Sequence, residues 1–174
     1  MTARVVLIGP MAAGKTKVGK RVSSLLGAPR LDTDKMFVAE QGEIATFFSE
    51  HGEDEFRRIE EALVARAVAT DSVVSLGGGA VLARGTQARL AELPVVYLTV
   101  SPDAVAERLE GGKRPLVSHG GVDAWLKIFE ARRPLYERLA TRTYDTSRGN
   151  LDEISRDIVE WITNGYPAES EHPQ

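Results

Sequence analysis

Short apolar runs alternate along this chain with stretches whose apolar residues return every three or four positions. Arg4–Ile8 carries Val5-Val6-Leu7-Ile8, a run with no polar break that reads as a strand buried on both faces. Lys17 to Leu26 has Val18, Val22, Leu25 and Leu26 at helical spacing and ends at Gly27. After Pro29 a short second strand closes at Arg30-Leu31-Asp32. Helical stretches are expected around Lys35–Glu40 and Ile44–Glu50, interrupted by Gly42. A longer helix from Glu53 to Ala69 shows Phe56, Ile59, Leu63, Val64 and Ala67 on its buried face. Strand three, Ser72–Leu76, runs into Gly77-Gly78-Gly79, and a helix from about Gly85 to Leu93 leads to strand four, Val95–Val100. Ser101-Pro102-Asp103 opens another helix in the manner of a cap followed by proline in the first turn. Val122 to Leu139 is helical with a kink or break expected at Pro134; Arg142–Asp145 is a fifth short strand and Leu151–Ile162 a last helix. The alternation predicts an α/β fold of three layers, a five-stranded parallel sheet flanked by helices, as one domain over residues 1–164. Residues 111–121, rich in glycine, are expected to be a mobile lid, and 165–174 a disordered tail.

Between the first strand and the first helix stands Gly9-Pro10-Met11-Ala12-Ala13-Gly14-Lys15-Thr16, a complete G-x-x-x-x-G-K-[ST] phosphate-binding loop. Backbone N–H groups of such a loop, here including Ala12, Ala13 and Gly14, converge on phosphate oxygens, and the helix dipole adds partial positive charge. Lys15 can reach the β- and γ-phosphates, and the Thr16 hydroxyl can ligate Mg²⁺. An ordinary glycine turn would match by chance, but not with a buried strand before it and a helix after it.

In an open parallel sheet ligands lie outside the carboxyl ends of the strands. Strand two delivers Asp32 and Asp34 there, strand three the triple glycine, strand four Ser101 and Asp103, and strand five Asp145. Strand three ends in Gly77 rather than an acid, so Asp32-Thr33-Asp34 is the expected source of a metal-ordering carboxylate. The two carboxylates, at i and i+2, are expected to face opposite sides, one towards a metal, the other towards an acceptor hydroxyl as general base or positioning group. The plain alternative is that Asp32 or Thr33 caps the next helix. Three successive glycines are entropically costly, and close approach of a ligand to bare N–H groups explains them better than a tight turn does. Arg57, Arg132, Arg133 and Arg114 are the cations at hand for an anionic acceptor or a transferring phosphoryl group. For Arg57 the bland reading is surface i,i+3 and i,i+4 ion pairs with Glu60 and Glu61, and for one of Arg132 and Arg133 a solvated basic face.

Composition narrows the classes. The 174 residues are 43% hydrophobic and 27% charged, ordinary for a globular protein, with a net charge of −3 and no long basic stretch, which argues against a nucleic-acid partner. The absence of cysteine excludes a disulfide framework, a thiol nucleophile and a Cys-ligated zinc, and is consistent with a reducing cytoplasm. No apolar run approaches membrane-spanning length, and His51, His119 and His172 are too scattered for a metal site.

The motifs GPMAAGKT (9–16), LDTD (31–34), GEDEFRRIEE (52–61), SLGGGA (75–80), RPL (114–116) and RRPLYERLA (132–140) together resemble the shikimate kinase family. The resemblance implies phosphoryl transfer from ATP to the 3-hydroxyl of shikimate by a monomeric, cytoplasmic, Mg²⁺-dependent enzyme. It implies that Lys15 contacts phosphate, Thr16 and Asp32 hold or order Mg²⁺, and Asp34 holds the hydroxyls beside the one phosphorylated. Arg57 and Arg132 would clamp the shikimate carboxylate, with Arg132 rather than Arg133 matching the motif. Gly78 and Gly79 would offer N–H groups to the acceptor, Arg114 would be the lid arginine, and Arg108 and Arg148 would lie beside the adenine. Ala12-Ala13 stands where many members carry glycine or serine, and the lid is about one residue short of some. Another small-metabolite kinase, such as a gluconate kinase, is the alternative enzyme. No N-K-x-D or D-x-x-G motif supports a GTPase switch.

Overall fold

The computed structural model describes residues 1–110 and 120–165. The expected lid residues 111–119 with Arg114, and the expected tail beyond Gly165, lie outside the described residues. Five parallel strands, β1 (Val5–Ile8), β2 (Arg30–Asp32), β3 (Val73–Ser75), β4 (Val95–Thr99) and β5 (Arg142–Asp145), form one sheet in the order β2-β3-β1-β4-β5. Between them run α1 (Lys15–Leu26), α2 (Thr33–Gln41), α3 (Ile44–Val68), α4 (Arg84–Leu90), α5 (Pro102–Glu110), α6 (Gly121–Leu139) and α7 (Leu151–Thr163).

The period of two along β1 explains the layers. Val5 and Leu7 face a core with Val18 and Val22 of α1, Val105 of α5 and Ile154, Ile158 and Trp161 of α7. Val6 and Ile8 face the opposite core, with Val64 and Ala67 of α3, Leu90 of α4 and Phe129 and Tyr136 of α6. Both faces of β1 are covered, so no polar residue alternates into it. A third, aromatic cluster of Phe37, Phe47, Phe56 and Leu63 joins α2 to α3.

Several element ends differ from expectation. α1 begins at Lys15, inside the phosphate loop, because Gly14 at φ 93° turns the chain straight into the helix. α3 agrees with expectation: it is two helical stretches joined at Gly52, which is non-helical at φ 82° and ψ 172°. A short 3₁₀ turn, Ala80–Leu82, precedes α4, which stops at Leu90. Pro134 does not end α6, which continues to Leu139. Glu130 and Pro134 are both exposed, so water can serve the Glu130 carbonyl that proline leaves without a donor. Among the described residues no helix is long and apolar enough to cross a membrane.

Candidate active site

β1 lies between β3 and β4, so the sheet changes winding direction beside it, and the loop after Ile8 opens at that crevice. Two positions in the loop are set by backbone geometry. Gly9 has φ 143°, and a Cβ there would stand 2.3 Å from the Leu98 carbonyl oxygen of β4. Ala12 holds φ 67°, the one left-handed non-glycine among the described residues.

The loop's carbonyls are all engaged from behind. Lys15 Nζ donates to Gly9 O at 2.6 Å and to Pro10 O at 2.9 Å. Trp125 Nε1 donates to Met11 O at 2.8 Å, Arg108 Nη1 to Ala12 O at 2.6 Å, and Thr146 Oγ1 to Ala13 O at 2.7 Å. The α1 N-terminus has no side-chain cap, so its first N–H groups are left for an anion. With its carbonyls engaged, and with the Ala13 N–H alone turned back on Pro10 O at 3.3 Å, the loop makes a cradle that favours phosphate and rejects cations.

Asp32 ends β2, and its Oδ1 accepts from the N–H groups of Asp34 (3.0 Å) and Lys35 (3.2 Å). The capping alternative is therefore real, but it occupies one oxygen of the carboxylate. The expected opposition of Asp32 and Asp34 needs a different cause from the one supposed. Residues i and i+2 of an extended chain share a face; here the chain turns from β2 into α2 at Thr33. Thr33 is buried, and its Oγ1 accepts from the N–H of Gly77 at 3.0 Å, tying this turn to the triple glycine. Burial pushes the Asp34 carboxyl above the ordinary aspartate range and the Asp32 charge adds to it, with Lys15 and Arg57 opposing.

None of the three glycines after β3 has a positive φ. Close approach is what requires them. A Cβ on Gly77 would lie 2.5 Å from Asp34 Oδ1 and 3.1 Å from Glu60 Oε2; one on Gly79 would lie 2.5 Å from both terminal nitrogens of Arg57. At Gly78 the nearest atoms, Arg132 Nη1 at 3.5 Å and the Tyr136 hydroxyl at 3.6 Å, would leave a methyl group room. The turn thus gathers Asp34, Arg57 and Arg132 from α2, α3 and α6 around one stretch of bare backbone. Its carbonyls are also engaged: Gly77 O by Ala80 N–H, Gly78 O by the Tyr136 hydroxyl at 2.5 Å, and Gly79 O by Leu82 N–H. The N–H groups of Gly78 and Gly79 have no partner among the described residues.

The Arg57 ion pair is only partly the one expected. Its partners are Glu60 (2.7 Å) and Glu53 (3.5 Å), while Glu61 lies beside Gly85. The pair is not a surface one, because the side chains of Arg57 and Glu60 are only 22% and 6% exposed. Burial pushes the Glu60 carboxyl up while Arg57 pulls it down. Arg132 is half-buried and faces the glycines, whereas Arg133 is exposed and pairs with Glu137 at 2.9 Å.

A cleft of about 670 Å³ runs from Lys15, Thr16, Asp32 and Asp34 past Ser75 to Arg108, Leu109, Gly149 and Leu151. Arg108 forms part of its wall while bracing the loop. Arg148 is exposed and next to Gly149 in sequence, and it is not itself among the lining residues. Sequence pattern assigns no role to Glu60, Thr33, Ser75 or Tyr136 beyond the cap and ion pair considered above. Ser75 Oγ is buried without a hydrogen-bond partner in the cleft wall, next to Asp32 across the β2–β3 ladder.

A phosphate loop after the central strand of a β2-β3-β1-β4-β5 sheet, with two arginines and an aspartate gathered beside it, defines a P-loop small-molecule kinase. Residues 11–163 match the family model described as shikimate kinase. The shikimate kinase of Mycobacterium tuberculosis (strain ATCC 25177 / H37Ra) is 39% identical over 98% of this chain and 99% of its own. That of Mycobacterium leprae is 42% identical over 91% of this chain and 82% of its own. The structure of shikimate kinase from Acinetobacter baumannii in complex with shikimate matches with a TM-score of 0.84 at 29% identity, covering 96% of each chain. The chain belongs to the shikimate kinase family.

Proposed function

We propose that the protein transfers the γ-phosphoryl group of ATP to the 3-hydroxyl of shikimate, giving shikimate 3-phosphate and ADP. The observation that carries this reading is the meeting of Asp34, Arg57 and Arg132 on the triple glycine, next to the phosphate loop. Two guanidinium groups suit a carboxylate, and a buried aspartate with a raised pKa suits the hydroxyl end of the same small acid. In this reading the acceptor oxygen attacks the γ-phosphorus as the bond to the β–γ bridging oxygen breaks, and the hydroxyl proton passes to Asp34. Lys15 exchanges the Gly9 and Pro10 carbonyls for phosphate oxygens. Arg114 would add positive charge at the β–γ bridge, and Arg114→Ala should then lower kcat by about 10³-fold.

The donor set suits Mg²⁺. Thr16, the second oxygen of Asp32 and the orphan hydroxyl of Ser75 are hard oxygens at one side of the cleft. Among the described residues no cluster of three or more acidic, His or Cys side chains forms a closed cage. A single carboxylate beside a phosphate site is how Mg²⁺ is commonly held, with waters and phosphate oxygens filling its shell. Bound with ATP, it would neutralise charge building on the phosphate oxygens. Arg108, and Arg148 on the neighbouring loop, are the groups proposed beside the adenine.

We read residues 1–164 as one catalytic unit, acting as a monomer in the cytoplasm, where ATP is supplied. Among the described residues, one chain brings Lys15, Asp32, Asp34, Arg57 and Arg132 together, which supports a monomer. Gel filtration of the purified protein tests the monomer. A coupled ADP-release assay with shikimate, quinate, gluconate and nucleoside monophosphates tests the substrate: shikimate should stimulate turnover far above the others, and a larger response to gluconate or a nucleotide would reject the assignment.

A further inference from the structure

Tyr136 of α6 is fully buried, its ring stacked on Tyr97 of β4 at a centroid distance of 5.3 Å. Its hydroxyl donates to the carbonyl oxygen of Gly78 at 2.5 Å, and the Arg132 guanidinium lies beside the same hydroxyl. That carbonyl belongs to the peptide whose N–H is Gly79's. In a trans peptide the two point in opposite directions, so a group that holds one aims the other. Glycine stands on both sides of this linkage, so rotation of the peptide plane meets no Cβ. The other bonds of the turn hold its ends: Gly77 N–H on Thr33, Gly77 O on Ala80, Gly79 O on Leu82. Tyr136 alone, among the described residues, holds its middle.

We propose that Tyr136 is a positioning residue for the transfer: its hydroxyl locks the Gly78–Gly79 peptide with the Gly79 N–H turned away from α6 and towards the acceptor. The inference rests on the shikimate reading above. Arg132 sits one helical turn before Tyr136, so α6 places a clamp and a tether together. Loss of the hydroxyl frees the peptide to turn its carbonyl outwards, where an acceptor oxygen would meet a lone pair instead of a donor.

Tyr136→Phe removes the tether and keeps the ring. Its KM for shikimate should rise about tenfold, the scale of one lost hydrogen bond, with KM for ATP and the Tm near those of the parent. Tyr97→Phe strips a hydroxyl from the same stacked pair without touching Gly78 and should leave the shikimate KM unchanged. An unchanged shikimate KM in Tyr136→Phe, or an equal rise in Tyr97→Phe, would overturn the role. Glycine-selective ¹⁵N labelling of the unaltered protein gives a test that needs no variant to fold. Gly79 should show one sharp amide resonance without ligand, which moves on adding shikimate. A doubled or broadened Gly79 resonance in the free protein, or one that shikimate leaves in place, would also overturn it. Failure of the unaltered protein to phosphorylate shikimate would sink the functional reading instead, and the sharpness of Gly79 would still judge the tether.

Discussion

The phosphate loop and the triple-glycine turn solve one problem with glycine used for two different reasons. Each engages its carbonyls from behind and leaves N–H groups outward, so each presents donors to an anion or a hydroxyl oxygen. In the phosphate loop Gly9 and Gly14 are required by left-handed backbone, at φ 143° and 93°. In the turn no glycine has such an angle, and Gly77 and Gly79 are required by the carboxylate and guanidinium packed against them. The phosphate loop is limited by torsion, and at Gly9 by the Leu98 carbonyl as well, whereas the turn is limited by space alone. A torsional demand can be met at modest cost by another residue, as Ala12 at φ 67° already shows. A demand for space against a charged functional group leaves no such compromise.

The largest effect should come from the group that the turn makes room for. Asp34→Asn should lower kcat by about 10³-fold while leaving ATP binding nearly unchanged. It should also make the protein more stable at neutral pH. Burial raises the folded-state pKa of Asp34 above its ordinary 3.8, so its charge opposes folding once the pH has risen through the raised value. The stability gap between the Asp34→Asn variant and the unaltered protein should close as the pH falls below 3.8, where Asp34 is protonated folded or unfolded. Equal Tm values at neutral pH would show that Asp34 is better solvated than its surroundings suggest.

Gly79→Ala should follow, with a loss of about 10²-fold in kcat/KM for shikimate, because the added methyl group displaces Arg57 by a large part of an ångström or more. Gly78→Ala should disturb the ligand-free protein far less, its Cβ meeting nothing closer than 3.5 Å. Similar Tm losses in both would break the account of Gly79 as a residue required by space. Adding Arg57→Ala to Gly79→Ala should lower the Tm by less than the two single losses combined and recover no activity, and thermal melts with steady-state kinetics on the double variant check both halves.

Arg57→Ala and Arg132→Ala should each weaken shikimate binding by about 1.5–3 kcal/mol, the scale of a charged hydrogen bond, with ATP affinity barely moved. Arg57→Ala should also lower the Tm, since it leaves Glu60 buried without its cation. A Tm change without a change in shikimate affinity would return Arg57 to a purely structural role. The smallest effect belongs to the torsion-limited side: Ala12→Gly should stabilise the protein by about 0.5–1 kcal/mol by relieving the left-handed alanine, measured by urea denaturation.

Much of this arrangement could be read in order along the chain. The buried strand, the loop motif and the helix after it are local, and so are the D-x-D segment and the triple glycine. What could not be read so directly depended on which residues meet across elements. Glu60 passes for a surface partner of Arg57 at i+3, yet it stands four residues from both Phe56 and Val64, on the apolar face of α3. That periodicity was a usable signal. Tyr136 lies seven residues after Phe129 on the buried side of α6, which marks it as core, but nothing local connects it with Gly78. Thr33 resembles a cap and instead bonds across to the N–H of Gly77. Ser75 is one small polar residue at a strand end, and only the neighbouring strand makes it notable. Element ends slipped where a glycine torsion rather than hydrophobic spacing sets the boundary, as at Gly14.

The crowding around Gly77 and Gly79 also bears on inhibition. Every residue other than glycine carries a Cβ, so any change at these two positions pushes on Asp34 or Arg57, the groups proposed above to hold the acceptor. A compound that takes its hydrogen bonds from the backbone of this turn, rather than from surrounding side chains, would rest on atoms that mutation cannot remove. Resistance to it would have to arise away from these two glycines.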